Sequence, residues 1–124
     1  MKNRLDEDKP IFLQIKEQIE DSILSGTFNS DERVPSTNEF ASFYKINPAT
    51  AAKGINELVH EGILLKRRGV GMFVTGDARD ILIQKRKQFF YENYLLPLKN
   101  EAVKLGIPMN EIMEMMKGEE HDEN

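Results

Sequence analysis

The chain has 124 residues, 40% of them hydrophobic, no cysteine and a formal net charge of -4. That length suits one small domain with an appendage, and the hydrophobic share excludes a disordered chain. Without cysteine there are no disulfides or thiolate metal sites, and no apolar run approaches the roughly 20 residues that span a bilayer.

Residues 1–9 read as a polar lead-in. MKNRLDEDKP is charged throughout and lacks the apolar stretch of a signal peptide, so a cytoplasmic protein with no membrane partner is expected. Pro10 suits the first turn of a helix, where a missing N–H costs nothing. Phe12, Ile15, Ile19 and Ile23 then recur at helical spacing and predict a helix over about 10–25, ended by Gly26. Asn29 to Pro35 reads as loop. Ser36-Thr37-Asn38-Glu39 has the spacing of a capping box and starts a short helix over about 37–44. Its apolar residues are Phe40, Ala41, Phe43 and Tyr44. After the tight connection Lys45-Ile46-Asn47, Asn47 is a good N-cap and Pro48 a good first residue. Ala51, Ile55, Leu58 and Val59 form the inward stripe of this third helix, which Gly62 ends. Ala49, Thr50, Lys53 and Asn56 mark its opposite face.

Beyond Gly62 the period shortens. Ile63-Leu64-Leu65-Lys66-Arg67 predicts a strand, Arg68-Gly69-Val70-Gly71 a turn, and Met72-Phe73-Val74-Thr75 a returning strand. Gly76-Asp77 is the expected boundary, with Asp77 as an N-cap. From Ala78 to Leu105 the pattern is mostly helical through Ile81, Leu82, Phe89, Leu96 and Val103, with Pro97 kinking or interrupting it. Gly106 closes that stretch, and Pro108 begins a last helix to about Lys117. Residues 118–124, GEEHDEN, read as a disordered acidic tail. The expected plan is a domain over 10–76 and a helical region over 77–117. The fold class is mainly α with a small β-hairpin: a winged helix-turn-helix followed by a short two-helix C-terminal dimerisation region.

Such a fold points to double-stranded DNA. The third helix has the dimensions to enter a major groove, N-terminal residues nearest the base edges. Charge distribution agrees where the total does not. Residues 33–75 carry six basic and three acidic side chains, residues 1–32 four and eight, and residues 76–124 seven and ten. The local field is what phosphates meet. The candidate contacts are Arg33, Ser36, Thr37 and Asn38 at the second helix, Asn47, Pro48, Ala49, Thr50 and Lys53 at the third, and Arg67, Arg68, Gly69 and Gly71 in the hairpin. Arg33 either meets phosphate or anchors its loop to a carboxylate. Lys85-Arg86-Lys87 reads as a solvated helix face, with a secondary DNA contact as the alternative. His60 and His121 stand alone, without partners at ligand spacing, so neither metal nor cofactor is expected. No catalytic constellation is present, and an enzyme is not expected. Phe89, Phe90, Tyr91 and Tyr94 are too many for one helix to bury alone and suggest a partner subunit. Met109, Met113, Met115 and Met116 read as core or dimer contacts.

The run GTFNSDERVPSTNEFASFYKINPATAAKGINELVHEGILLKRRGVGMFV resembles the DNA-binding domain of the GntR transcription regulators. The resemblance lies in Arg33-Val34-Pro35-Ser36, Glu39-Phe40-Ala41, Asn47-Pro48 with Thr50, Glu57-Leu58, Glu61-Gly62, and Arg67-Arg68-Gly69 with Gly71 and Phe73-Val74. Ile46-Asn47-Pro48 and the short tail resemble the YtrA-like branch in particular. Pro97-Leu98, Glu101-Ala102, Leu105-Gly106 and Glu111-Ile112 are similar to that branch's two-helix tail. The resemblance implies a bacterial transcription regulator, usually a repressor, that binds a pseudo-palindromic operator as a homodimer held by its C-terminal helices. Ile81, Leu82, Phe89, Phe90, Tyr94, Leu96, Met113 and Met116 are the expected dimer residues. A small-molecule effector and a protein-interaction module without DNA binding are the alternatives. The pattern departs from the family at Asp31, where glycine is usual, and at Asn38, where arginine is usual. Ala52-Lys53-Gly54 replaces a bulkier run. Gly54 either permits close backbone approach to DNA or is merely tolerated, since glycine inside a helix costs roughly 1 kcal/mol.

Overall fold

The computed structural model describes Leu5 and residues 7–118. The lead-in before Leu5, Asp6 and the tail from residue 119, with His121, lie outside the described residues. Two compact units divide the chain, Met1–Lys85 and Arg86–Asn124.

The first unit begins with α1 (Ile11–Leu24), whose Ile15, Ile19 and Ile23 are buried four residues apart. This is the periodicity of one buried helix face. Helix α2 (Thr37–Tyr44) starts at the expected capping box: the Glu39 amide donates to Ser36 Oγ at 3.1 Å, and the Ser36 amide donates to Glu39 Oε1 at 2.9 Å. Helix α3 (Pro48–His60) starts at Asn47, whose Oδ1 accepts from the Ala49 amide at 2.8 Å, with Pro48 as its first residue. Between α2 and α3 the chain reverses at Lys45, held at φ +56°, and the Ile46 amide donates to the Ala41 carbonyl at 3.0 Å.

The expected two-stranded hairpin is the larger part of a three-stranded sheet. Strands β2 (Leu64–Arg67) and β3 (Gly71–Val74) pair antiparallel, and β1 (Arg33–Val34) pairs with the free edge of β3, giving the order β1-β3-β2. Arg33 faces Phe73 and Val34 faces Met72 across that added edge. The stretch before Pro35, expected as loop, is thus partly strand. The ladder runs on past it, with the Asp31 amide donating to the Val74 carbonyl and the Val74 amide to Glu32. Asp31 stands where glycine was expected and keeps the left-handed backbone itself, φ +67°. A short aspartate tolerates that region better than most side chains.

The core of this unit joins α1, α2, α3 and the sheet through Ile15, Ile19, Phe40, Ile55, Leu58, Ile63, Leu64 and Val74. It also takes in the start of α4 (Ala78–Phe90), where Ala78 and Leu82 are fully buried and Ile81 packs alongside. Arg79 Nη1 donates to the Leu24 carbonyl at 2.6 Å. These contacts move the division between units from Gly76 to Lys85. They also correct the place of Leu82: it fills the core of its own chain and is closed to a partner. Ile81 too is largely taken up by that core.

In the second unit, α4 passes into a π-helical turn, Tyr91–Leu95, followed by α5 (Leu96–Leu105) and α6 (Met109–Lys117). Pro97 interrupts the helix as expected, and the π turn is its form. Proline has no amide to offer the carbonyl of the preceding turn, and the wider turn accommodates the loss: the Leu96 amide reaches Tyr91, five residues back. Asn93 Nδ2 donates to the Phe89 carbonyl at 2.9 Å. Among the described residues of this unit only Ala102 and Ile112 are buried. No helix among the described residues is long and apolar enough to cross a membrane.

Candidate nucleic-acid interface

Three segments of the first unit carry the expected contacts. At the start of α2, Asn38 is exposed, and Ser36 and Thr37 are half-buried. The Ser36 oxygen is engaged in the cap, which leaves its hydroxyl hydrogen to donate. Glu39 is also engaged: the Ser36 amide holds its carboxyl below the ordinary carboxylate value, and Arg33 adds to this. At the start of α3, Asn47, Pro48, Ala49 and Lys53 are exposed and Thr50 is half-buried. Asn47 Oδ1 belongs to the cap, so only its amide hydrogens face outward as donors.

The third segment is the hairpin tip. The Val70 amide donates to the Arg67 carbonyl at 2.9 Å, so Arg68 and Gly69 are the two central residues of the turn. Both are exposed, and Gly69 sits at φ +76°. The Arg67 guanidinium lies 4.5 Å above the Phe73 ring, which steadies it by a cation–π contact.

Arg33 connects the tip to α2. Its Nε donates to the Val70 carbonyl at 3.4 Å, and its Nη2 lies 3.9 Å from Glu39 Oε1. The carboxylate contact expected of Arg33 is present, and the guanidinium stays half-exposed, open to a phosphate as well. Gly71 makes room for it: a Cβ there would stand 2.7 Å from Arg33 Nε.

Gly54 is accounted for differently from either expectation. Its missing side chain faces α1, where a Cβ would stand 2.5 Å from the Phe12 carbonyl oxygen. The close approach is between two helices of this chain, and Gly54 is buried. Next to it, Lys53 Nζ lies 4.0 Å over the Phe12 ring.

Behind α3 lies a set of charges that sequence reasoning missed. Lys16, on α1 and largely buried, donates to Glu57 at 3.1 Å and to Glu61. Lys85 of α4 donates to Glu61 at 3.0 Å and to the buried Glu20 at 2.6 Å. Burial works against the charge on both Lys16 and Glu61. The mutual hydrogen bonds outweigh it, holding the Lys16 ammonium above its ordinary value and the Glu61 carboxyl below its own. Lys85 is exposed, as a solvated face requires, and it also pairs with Glu20 and Glu61. A signal existed in the spacing: Phe12, Lys16 and Glu20 follow one another by four residues and share one face of α1.

In the second unit the expected dimer residues Phe89, Phe90, Tyr94, Leu96, Met113 and Met116 are all exposed. Phe89 and Phe90 pack on Tyr94 with ring centroids 6.2 and 5.8 Å apart. Val103, 80% exposed, belongs with them, as do Leu105, Met109 and Met115.

Residues 12–74 match the model of the gntR family of bacterial regulatory proteins. The chain is 30% identical over 108 residues to the HTH-type transcriptional repressor YtrA of Bacillus subtilis (strain 168), covering 87% of this chain and 82% of that one. A GntR family transcriptional regulator from Listeria monocytogenes has the same fold at a TM-score of 0.76 and 29% identity, covering 92% of this chain and 98% of that one. The DNA-binding domain of AraR, solved in complex with an operator, matches 60% of this chain and 92% of its own length at a TM-score of 0.53 and 32% identity.

Proposed function

The chain belongs to the GntR family of bacterial regulatory proteins, and from that membership we propose that it is a cytoplasmic transcriptional repressor that binds a pseudo-palindromic operator as a homodimer. The observation that carries the DNA-binding part is the first unit's layout. Asn38, Asn47, Pro48 and Ala49 at the start of α3, and the Arg68-Gly69 tip are all exposed, while Arg33 ties the tip to α2. Phosphate contacts from the tip and the helix starts would set register. The exposed start of α3 would set sequence. The likeness to the AraR domain in its operator complex supports this reading, and the name of the Bacillus subtilis relative supports repression.

The homodimer rests on the second unit. Its apolar side chains outnumber what two buried residues can hold, and a patch of that kind marks an interaction surface. A two-fold pair of winged helices would read half-sites about one helical turn apart. Selection of genomic fragments by the purified protein, with sedimentation of the free protein, tests both parts. Enrichment of an inverted repeat and a dimer mass are expected. No enriched sequence would end the DNA-binding reading, and a monomer would end the dimer.

A further inference from the structure

Phe12 and Lys53 meet where two helices are pressed together. Gly54 leaves room for the α1 backbone to approach α3 at Phe12. Lys53, the preceding residue, then lies with its ammonium over the half-buried Phe12 ring, 4.0 Å from the centroid. The acid that helical spacing offers it is Glu57, one turn further on. That carboxylate accepts from Lys16 instead, and Lys53 forms no ion pair among the described residues. The result is an exposed, unneutralised cation whose stem is already held before any ligand arrives. Ordering such a side chain in advance removes part of the entropy cost of binding.

We propose that Phe12 is a positioning residue for DNA binding, and that its ring holds the Lys53 ammonium where it takes a backbone phosphate. The inference rests on the DNA-binding reading above and assigns one residue's part in it. Over the ring the ammonium is drawn toward α1, away from the outer tip of α3 that would meet base edges. A lysine is a point charge without the fork that lets arginine distinguish bases. Lys53 thereby contributes affinity, and sequence is read elsewhere.

The test uses the full chain, the sequence enriched by genomic selection, and titrations at several salt concentrations. Lys53→Ala should weaken binding to enriched and scrambled sequences alike. It should also lower the slope of log affinity against log salt by about one. Phe12→Leu should weaken binding about two- to five-fold, and should change nothing further in the Lys53→Ala background. Phe12→Tyr, which keeps the ring, should retain wild-type affinity. In the free protein, the ring should shift the Lys53 ε-methylene proton signals upfield. That shift should vanish in Phe12→Leu and persist in Phe12→Tyr. The proposal is overturned by an equal loss for Phe12→Leu in both backgrounds, or by an altered base preference for Lys53→Ala. A wild-type protein that enriches no sequence sinks the DNA-binding reading itself and this proposal with it.

Discussion

The space where a Gly54 side chain would begin is 2.5 Å from the carbonyl oxygen of Phe12. Two backbones meet there, and neither can yield as a flexible side chain would. Helix propensity alone favours alanine over glycine by about 1 kcal/mol. Prising packed helices apart costs about 1–3 kcal/mol, so Gly54→Ala is expected to destabilise the first unit by up to about 2 kcal/mol. Urea unfolding measures it as a lower midpoint. A raised midpoint would mean that α1 and α3 separate freely.

Tyr44 is buried, and among the described residues its hydroxyl finds no hydrogen-bond partner. An unsatisfied buried hydroxyl is a liability of about 1–3 kcal/mol. Tyr44→Phe removes it and keeps the ring that meets Phe43 edge-on at 4.9 Å. A gain of about 1 kcal/mol is expected, equivalent to a rise of roughly 4–8 °C in Tm for a unit of this size. A lower Tm would show that the hydroxyl is engaged.

The charges shared by Lys16, Glu61 and Lys85 make stability depend on pH at both extremes. The folded state lowers the Glu61 pKa, so it binds that proton less readily than the unfolded chain. The stabilisation is present above the unfolded carboxylate pKa, about 4.3, and is lost as pH falls through the folded value. The folded state raises the Lys16 pKa. Its contribution is complete below the unfolded lysine value, about 10.4, and is lost as pH rises through the folded one. Denaturant midpoints across pH should fall at both ends, and Glu61→Gln should flatten the acid side. An unchanged acid limb in that variant would contradict the assignment.

Arg68 occupies the turn centre with no ion pair among the described residues. On the proposed function, Arg68→Ala should weaken binding to all duplexes by a similar factor and lower the salt slope by about one. It should leave the unfolding midpoint within about 0.5 kcal/mol of wild type. A variant that binds as tightly as wild type would free the tip from the interface.

What could be read in the sequence depended on how far apart the deciding residues lie. The starts of α2 and α3 were legible because Ser36 with Glu39, and Asn47 with Pro48, do their capping within one turn. β1 was not. Two residues are too short to show alternation, and the partner that makes them a strand is the distant Phe73-Met72 edge. The periodicity that marked Leu82 as apolar had no means of telling a core inside the chain from a surface between chains. For Gly54, composition left two readings open, and the deciding atom belongs to Phe12 on another helix. The candidate site followed the same rule: its exposed positions were legible as a set, whereas the Arg33 anchor and the ring under Lys53 depend on contacts across the fold.

A π turn seats one residue more than an α turn, so Tyr91–Leu95 works as a phase shift along the second unit's helix. Each residue advances a helix by about 100°. Were the same residues to wind as ordinary α-helix, every side chain from Leu96 to Leu105 would swing by about that angle relative to Phe89 and Phe90. The apolar positions would all still be present, but on different sides. Deleting one residue as the turn closes into α-helix would therefore leave those sides as they are, whereas inserting one more would reassign which side chains share a face.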